Sequence, residues 1–503
     1  MLCAAIDIGS NTTRVLVAEP VGGQLKKVME QRAYTRINKA LDEDGAILPE
    51  KIDEVAELVA TQVRLARELG AETIRSVATA AVREASNGED TARAIAAASG
   101  VPVDILSDEE EGRLSFIGAT KTLGHPVAGK VGVVDVGGGS TEFIVGTGLE
   151  PQLTESLYMG CVSYSLKYFP DGKVDKAAMR AAELAARQEL AGIVRAYRAA
   201  GWDEAVASSG TARAIENILR ENGFAEDGLT RAGLEKLRSL LLKSEKADPD
   251  RIAGLRPNRA PVLPGGVAIL SAAFEELGLE AMKVSAAALR HGVLYDLLGR
   301  VEHRDMREAT VAQFMRRYHV DTAQAERVKQ LALTIYDALT PGAEREDDAD
   351  RLMLEWAARL AEIGLSIAHA QYHKHSAYVL SNADMPGFSR PEQARLARIV
   401  LAHRGKLRKM QDAGLDGADW KLVFALRTAS LILRSRSDAK LPFLRVAADA
   451  GGFAIDLPQS WLDESPLSAA ALDAESDHWK AVGMKLQVSG LSDKRVSVLK
   501  QVR

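Results

Sequence analysis

Two short segments, Asp7-Ile8-Gly9-Ser10-Asn11 and Asp135-Val136-Gly137-Gly138-Gly139-Ser140-Thr141, each end an apolar run on an aspartate and continue into glycine and small polar residues. Glycine lets backbone amides approach a phosphate closely, and a carboxylate is a hard oxygen donor suited to Mg²⁺. A single turn of this kind is common in hairpins. Two of them facing each other would make a phosphate clamp.

A third candidate is the acidic run Ser107-Asp108-Glu109-Glu110-Glu111-Gly112-Arg113. Its plain reading is a first helical turn that complements the helix dipole. Its chemical reading is that one carboxylate faces a cleft as a general base and activates water for attack on phosphorus. Spacing does not choose among the four. Arg83 follows an apolar run and could offer phosphate a planar, bidentate guanidinium, or simply be a solvated arginine. Arg259 and Arg290 are weaker candidates of the same type. Ser209, Gly210 and Thr211 lie between a strand pattern and a helix pattern, where backbone N–H groups can meet an anion.

His369, His373 and His375 suggest a metal site by proximity, but the preceding Leu360-Ala361-Glu362-Ile363-Gly364 supplies no His-Asp pair to complete one. The most basic stretch runs from His403 to Lys409 and continues through Arg427, Arg434, Arg436 and Lys440. It is either a solvated helix face or a polyanion track using Arg404, Lys406, Arg408 and Lys409.

The elements that must position these groups read as alternating strands and helices at first. Residues 4–8 and 15–18 form a predicted hairpin, followed by a helix over 53–70, a strand at 74–77, a helix at 91–98 and a strand at 103–106. Residues 131–148 repeat the opening hairpin: placing Asp7 on Asp135 also places Gly9 on Gly137 and Thr13 on Thr141, with Val15, Leu16 and Val17 on Phe143, Ile144 and Val145. Beyond Arg304 the strand signals give way to helical ones, and two short strands flank Gly451-Gly452 near the end. The expected fold class is α/β followed by all-α, in domains 1–122, 123–300, 304–440 and 441–503.

The 503 residues carry a formal charge of -5, with 47% hydrophobic, 26% charged and 5% aromatic residues, a balance that disfavours a general nucleic-acid or membrane-surface binder. Any polyanion site must be local. Two cysteines cannot build a disulfide framework. With no basic leader at the N-terminus and no run of about 18 apolar residues noticed, no membrane span and a cytoplasmic location are expected.

Taken together, AAIDIGSNTTRVLV, VATAAVREASN, ILSDEEEGRLSF, VVDVGGGSTEFIVG, YMGCVSYS, ASSGTARAIEN, VLPGGVAIL, ALRHGVLYDLLGR and HKHSAYVLSNADMPGF resemble the exopolyphosphatase and guanosine pentaphosphate phosphohydrolase (Ppx/GppA) family, most closely a long-form exopolyphosphatase. The resemblance implies two actin-like (RNase H-like, ASKHA superfamily) domains, a helical HD-like domain and a small C-terminal α+β domain. It also implies Mg²⁺-dependent hydrolysis, releasing orthophosphate processively from inorganic polyphosphate or converting pppGpp to ppGpp, and a homodimer.

Carried over by motif, the base is Glu111 and the metal and water-positioning carboxylates are Asp135 and Glu142. Phosphate contacts fall to Ser10, Asn11, Arg83, the backbone of Gly137, Gly138, Gly139, Ser140 and Thr141, and the later turn of Ser209, Gly210 and Thr211. Ala361 stands where longer members often carry a histidine. His291 replaces the acid that usually follows the family's arginine, so no local salt bridge of Arg290 is expected. The rival readings are a pppGpp hydrolase, an ATP-dependent kinase or ATPase of the same superfamily, and a non-catalytic polyphosphate or alarmone sensor.

Overall fold

The computed structural model describes residues 2–22, 24–123, 129–285, 287–301, 305–342, 348–411, 414–436, 442–449 and 451–492. Arg304 and Lys440 lie outside these described residues. The chain divides into two compact units, Met1–Met306 with Pro386–Arg390, and Arg307–Met385 with Pro391–Arg503.

The first unit holds two sheets. One has β1 (Leu2–Ile8), β2 (Thr13–Val21), β3 (Gln24–Ala33), β4 (Ala71–Ala78) and β5 (Val103–Ile105) in the order β3-β2-β1-β4-β5. The other has β6 (Lys130–Val136), β7 (Thr141–Thr147), β8 (Glu150–Leu157), β9 (Glu204–Ser208), β10 (Leu229–Thr230) and β11 (Ala281–Val284) in the order β10-β11-β9-β6-β7-β8. In each, the first strand pairs antiparallel with its hairpin partner and parallel with the strand on its other side. Even the register repeats: Asp7 sits opposite Arg14 and Asp135 opposite Glu142, positions the alignment of the two hairpins makes equivalent. This duplicated topology is the actin-like pair of domains.

Local sequence explains the placement. Cys3, Ala4, Ala5, Ile6 and Ile8 are all fully buried, as a continuous apolar run in the centre of a sheet covered on both faces should be. The helix Pro49–Glu68 starts earlier than its apolar spacing predicts because Pro49 occupies its first turn, and it buries Val55, Val59, Val63 and Ala66. The acidic run opens the helix Asp108–Lys121, whose N-cap Ser107 accepts a hydrogen bond from the Glu110 amide at 3.2 Å.

That helix crosses the helix Leu289–Val301 at almost no distance. A Cβ on Gly118 would lie 2.1 Å from the Ala288 carbonyl oxygen, and one on Gly292 would lie 1.8 Å from that of Leu114. Only glycine permits this backbone approach. Beside the crossing, the buried Arg113 forks onto both Glu110 oxygens at 2.7 Å and also pairs with Asp296. Asp296 in turn accepts from Arg75 at 2.7 Å, and Arg75 reaches Asp104 at 3.0 Å. One ion network thus ties β4 and β5 to both crossing helices, directly beside Glu111.

Contrary to the expectation of no such apolar run, the stretch Ala260–Leu277 is apolar enough by length and composition to cross a bilayer, yet 67% of it is buried within the protein. Its apolarity belongs to the core of the second actin-like domain, where Val267, Ala268, Ile269 and Leu270 are fully buried.

The second unit is helical, with Thr322–Leu339, Ala349–Leu360, Tyr372–Asn382, Arg390–Ala402 and Gly417–Ile432 among its longer helices. It ends in a sheet of β12 (Arg445–Asp449), β13 (Gly452–Pro458) and β14 (Lys485–Leu491), the last parallel to β13. The two strands expected around Gly451-Gly452 are β12 and β13, and β14 adds a third from further along the chain. Phe424 stacks on Phe453 with centroids 4.2 Å apart, and Trp479 closes over both, so this sheet shares a core with the helices.

Candidate active site

The two glycine turns begin alike. Gly9 N–H donates to the Thr12 carbonyl at 3.1 Å, and Gly137 N–H donates to that of Ser140 at 2.9 Å. The second turn is then clamped by the helix Cys161–Tyr168, whose Cys161 and Val162 amides donate to the Gly137 and Gly138 carbonyls at 2.9 and 3.0 Å. Gly160, at the cap of that helix, lies so close that a Cβ there would come within 2.1 Å of the Gly138 oxygen. With its carbonyls held by this helix, the turn is fixed in shape beside the cleft.

Both turns line one cleft of about 190 Å³. Among the residues singled out in the sequence, Ser10, Asn11, Glu111, Asp135, Gly137, Gly138, Gly139, Ser140, Glu142, Ser209, Gly210 and Thr211 meet there. Two do not. Thr141, whose backbone was the expected contact, is fully buried at the start of β7, a strand covered on both faces, and its hydroxyl bonds the Met159 carbonyl. Arg83 is held against protein groups: Nη1 donates to Glu111 Oε2 at 2.9 Å and to the Leu106 carbonyl at 3.1 Å, and Nη2 pairs with Asp108. In this arrangement its guanidinium orients the carboxylate rather than a phosphate.

The cleft also contains groups that the motif transfer passed over or ranked low. Asp7, Thr79, Ser115, Arg14, Asn258, Arg259 and Arg290 all line it. Arg290, expected to lack a local salt bridge, has two distant ones, to Asp7 at 3.3 Å and Glu30 at 2.9 Å. Its partners come from the first sheet, which spacing along the chain could not reveal. Ser209 has φ of 103°, a backbone that L-residues rarely adopt, and its hydroxyl accepts from the Thr211 and Ala212 amides at 3.1 Å. The Asp-Gly pattern itself was the available signal for Asp7.

Electrostatically the centre is crowded with acid. Burial pushes the Glu111 carboxyl up to about 7; Arg83 opposes the rise, while Asp7 and Asp108 add to it. Burial, then the charges of Glu111 and Asp135, hold Glu142 well above the usual carboxylate range. Glu142 Oε1 accepts from Ser140 at 2.6 Å and Ser156 at 3.0 Å. Asp135 is likewise raised, chiefly by burial.

Among the described residues no three acids or histidines stand close enough to form a closed metal cage. Mg²⁺ takes one or two carboxylates and fills its other positions with water and substrate oxygen. Acids whose pKa values burial raises are a donor set that a divalent cation would relieve.

Opening off the cleft is a recess of about 660 Å³ that shares Arg14, Gly210, Asn258 and Arg259 with it. Seven cations line the recess, Arg14, Lys27, Arg32, Arg213, Arg220, Arg256 and Arg259, against two acids, Glu30 and Glu216. No aromatic ring stands among the described residues that line it. Burial, followed by the charge of Arg290, lowers Arg14 to about 10. The same two causes lower Arg213. Cations that disfavour one another in this way are stabilised by a polyanion.

Of the basic stretch in the helical unit, Arg404, Lys406 and Arg408 are exposed, but Lys409 is half-buried and donates to the Arg404 carbonyl at 2.7 Å. Burial, followed by the charges of Arg427 and Lys374, lowers its ammonium to about 7. Lys409 is thus spent on the fold rather than displayed on a continuous track.

Comparison with known proteins agrees with this architecture. The Ppx/GppA phosphatase family model matches residues 16–301, and the model of domain III of Ppx/GppA phosphatases matches residues 306–476. A solved Ppx/GppA family member from Aquifex aeolicus is 25% identical, with a TM-score of 0.52 over 60% of this chain and 98% of that one. An exopolyphosphatase from Cytophaga hutchinsonii is 20% identical, with a TM-score of 0.53 over 59% of this chain and 98% of that one, a likeness of fold.

Proposed function

Because the chain belongs to the Ppx/GppA phosphatase family, whose members hydrolyse phosphate from polyphosphate or pppGpp, we propose that it is an exopolyphosphatase that releases orthophosphate from the end of inorganic polyphosphate. The observation that carries the choice of substrate is the recess beside the cleft. A chain of phosphates presents one negative charge after another and no planar base, and the recess offers seven cations and no ring among its described lining.

In this reading the terminal phosphoryl group lies between the two glycine turns, with Ser10, Asn11, Ser140, Ser209 and Thr211 as hydrogen-bonding partners and the rest of the chain in the recess. Arg14 and Arg259, shared by both spaces, hold the bridging phosphates. Glu111, raised to about 7, accepts the proton of the attacking water, and Arg83 fixes the carboxylate's direction. Asp135 and Glu142 would hold a Mg²⁺, which would supply positive charge to offset that of the phosphates.

The pppGpp reading has one observation of its own. Tyr34 lines the cleft and is 42% exposed, a surface on which guanine could stack. Its ring is already attended by Arg32 at 4.9 Å, and its hydroxyl accepts from Asn258. Phosphate release from long polyphosphate, pppGpp and ATP, each with and without Mg²⁺ and with Glu111→Gln as control, decides among them. Mg²⁺-dependent release from polyphosphate that disappears in the variant supports the proposal; release from pppGpp alone replaces it.

A further inference from the structure

The helical unit contains a cavity of about 1110 Å³, larger than the phosphate cleft and chemically unlike it. It is bounded by the start of the helix Thr322–Leu339, the ends of Ala349–Leu360 and Gly417–Ile432, the start of Tyr372–Asn382 and the junction of the helices Gln459–Glu464 and Pro466–Lys480. Its charges are nearly balanced. Arg436 spans Asp321 at 3.1 Å and Glu362 at 2.6 Å, and Arg359 is paired with Glu308.

Two guanidiniums remain without a carboxylate partner among the described residues. Arg434 donates only to the Leu467 carbonyl, at 2.8 Å, and Arg404 lies over the Tyr372 ring at 5.0 Å. Four rings accompany them: Tyr372 and His403 are buried with centroids 5.6 Å apart, His369 stands 6.5 Å from Tyr372, and Trp461 also lines the cavity. Backbone strain also gathers here. His319 and Arg436 line the cavity and Gln371 precedes Tyr372, all with φ between 51° and 57°.

We propose that this cavity is a second ligand site, for a nucleotide carrying a short phosphate group. Several rings and two available guanidiniums suit one planar base and one anionic end. A long phosphate chain suits it poorly, because it would also meet Glu464 and the Arg436-bound acids, whereas the recess of the first unit offers cations almost alone. The size is sufficient for a nucleotide with its hydration. The inference does not rest on the proposed hydrolysis, since it uses none of the cleft's residues.

The test is calorimetric titration of the full chain with AMP and GMP, compared with Arg404→Ala/Arg434→Ala and with Trp461→Ala. Both arginines are exposed, so the double variant is expected to keep the parent's unfolding temperature. Nucleotide affinity is expected to fall at least about tenfold in it, through loss of two charge-assisted contacts. Trp461→Ala is expected to weaken nucleotide binding while sparing any binding of tripolyphosphate. No heat from either nucleotide overturns the proposal. So does affinity unchanged in both variants, or tripolyphosphate binding that the double variant removes as completely as it removes the nucleotides.

Discussion

Arg83 Nη1 donates to Glu111 Oε2 at 2.9 Å while Nη2 of the same guanidinium pairs with Asp108, so one arginine aims a carboxylate that lines the cleft with both glycine turns. If Glu111 is the base, Glu111→Gln should lower phosphate release on the order of 10²–10⁴-fold with polyphosphate still bound. Retained turnover would remove Glu111 from that role.

The same pair sets a pH dependence. Only the ionised carboxylate accepts a proton, so release is expected to rise with pH through about 7. Arg83 favours the ionised form; Arg83→Gln should therefore move the midpoint upward, depress activity at neutral pH and restore part of it in alkali. A fall in activity at every pH by one factor would mean that Arg83 binds substrate instead.

The basic recess should read chain length. Arg220→Glu and Arg256→Glu, both in the recess and outside the cleft lining, are expected to raise KM for long polyphosphate about tenfold or more and leave tripolyphosphate less affected. The effect should shrink as salt is added. Equal changes for both substrates in steady-state assays would place the chain elsewhere.

Much of this site was legible in sequence because its parts are local. An aspartate, a glycine and a small polar residue within one turn announce a phosphate-sized hairpin, and its recurrence at Asp135 announced the duplicated domain that the register of β1 with β2 and β6 with β7 bears out. What was not legible is what the fold brings from afar. Arg290 meets Asp7 and Glu30, residues far back in the first sheet, and the recess is built from β2, β3 and the segments around Arg213 and Arg256. Thr141 shows the opposite failure: its backbone was expected at the phosphate from its place in a motif, but it opens a strand buried on both faces and does not line the cleft.

Buried charge beside the base gives a stability test. Asp296 is the shared partner of Arg113 and Arg75, and Asp296→Asn would leave two buried guanidiniums undercompensated. The expected cost is about 3 kcal/mol or more, read as a lower urea midpoint. Because Arg113 also grips Glu110 next to Glu111, activity should fall even under conditions where the variant remains folded. A variant as stable and active as the parent would show the network to be dispensable.

His403 makes the helical unit acid-sensitive. It is buried, its Nδ1 bonds the Val400 carbonyl, and burial lowers its pKa to about 3, while burial also lowers neighbouring His373 to about 4. Unfolded histidine titrates near ~6.5, so below that pH the unfolded chain takes up protons that the folded one refuses. Stability from these two residues is therefore complete above ~6.5 and is lost as pH falls toward the folded values. Glu111 has the opposite sign: its raised pKa favours the folded state as pH falls from about 7 toward the ordinary glutamate range. His403→Asn removes one histidine contribution and leaves Glu111 in place, so the drop in unfolding temperature between mildly alkaline and mildly acidic buffer should be smaller in the variant. An identical drop would assign the acid sensitivity to other groups.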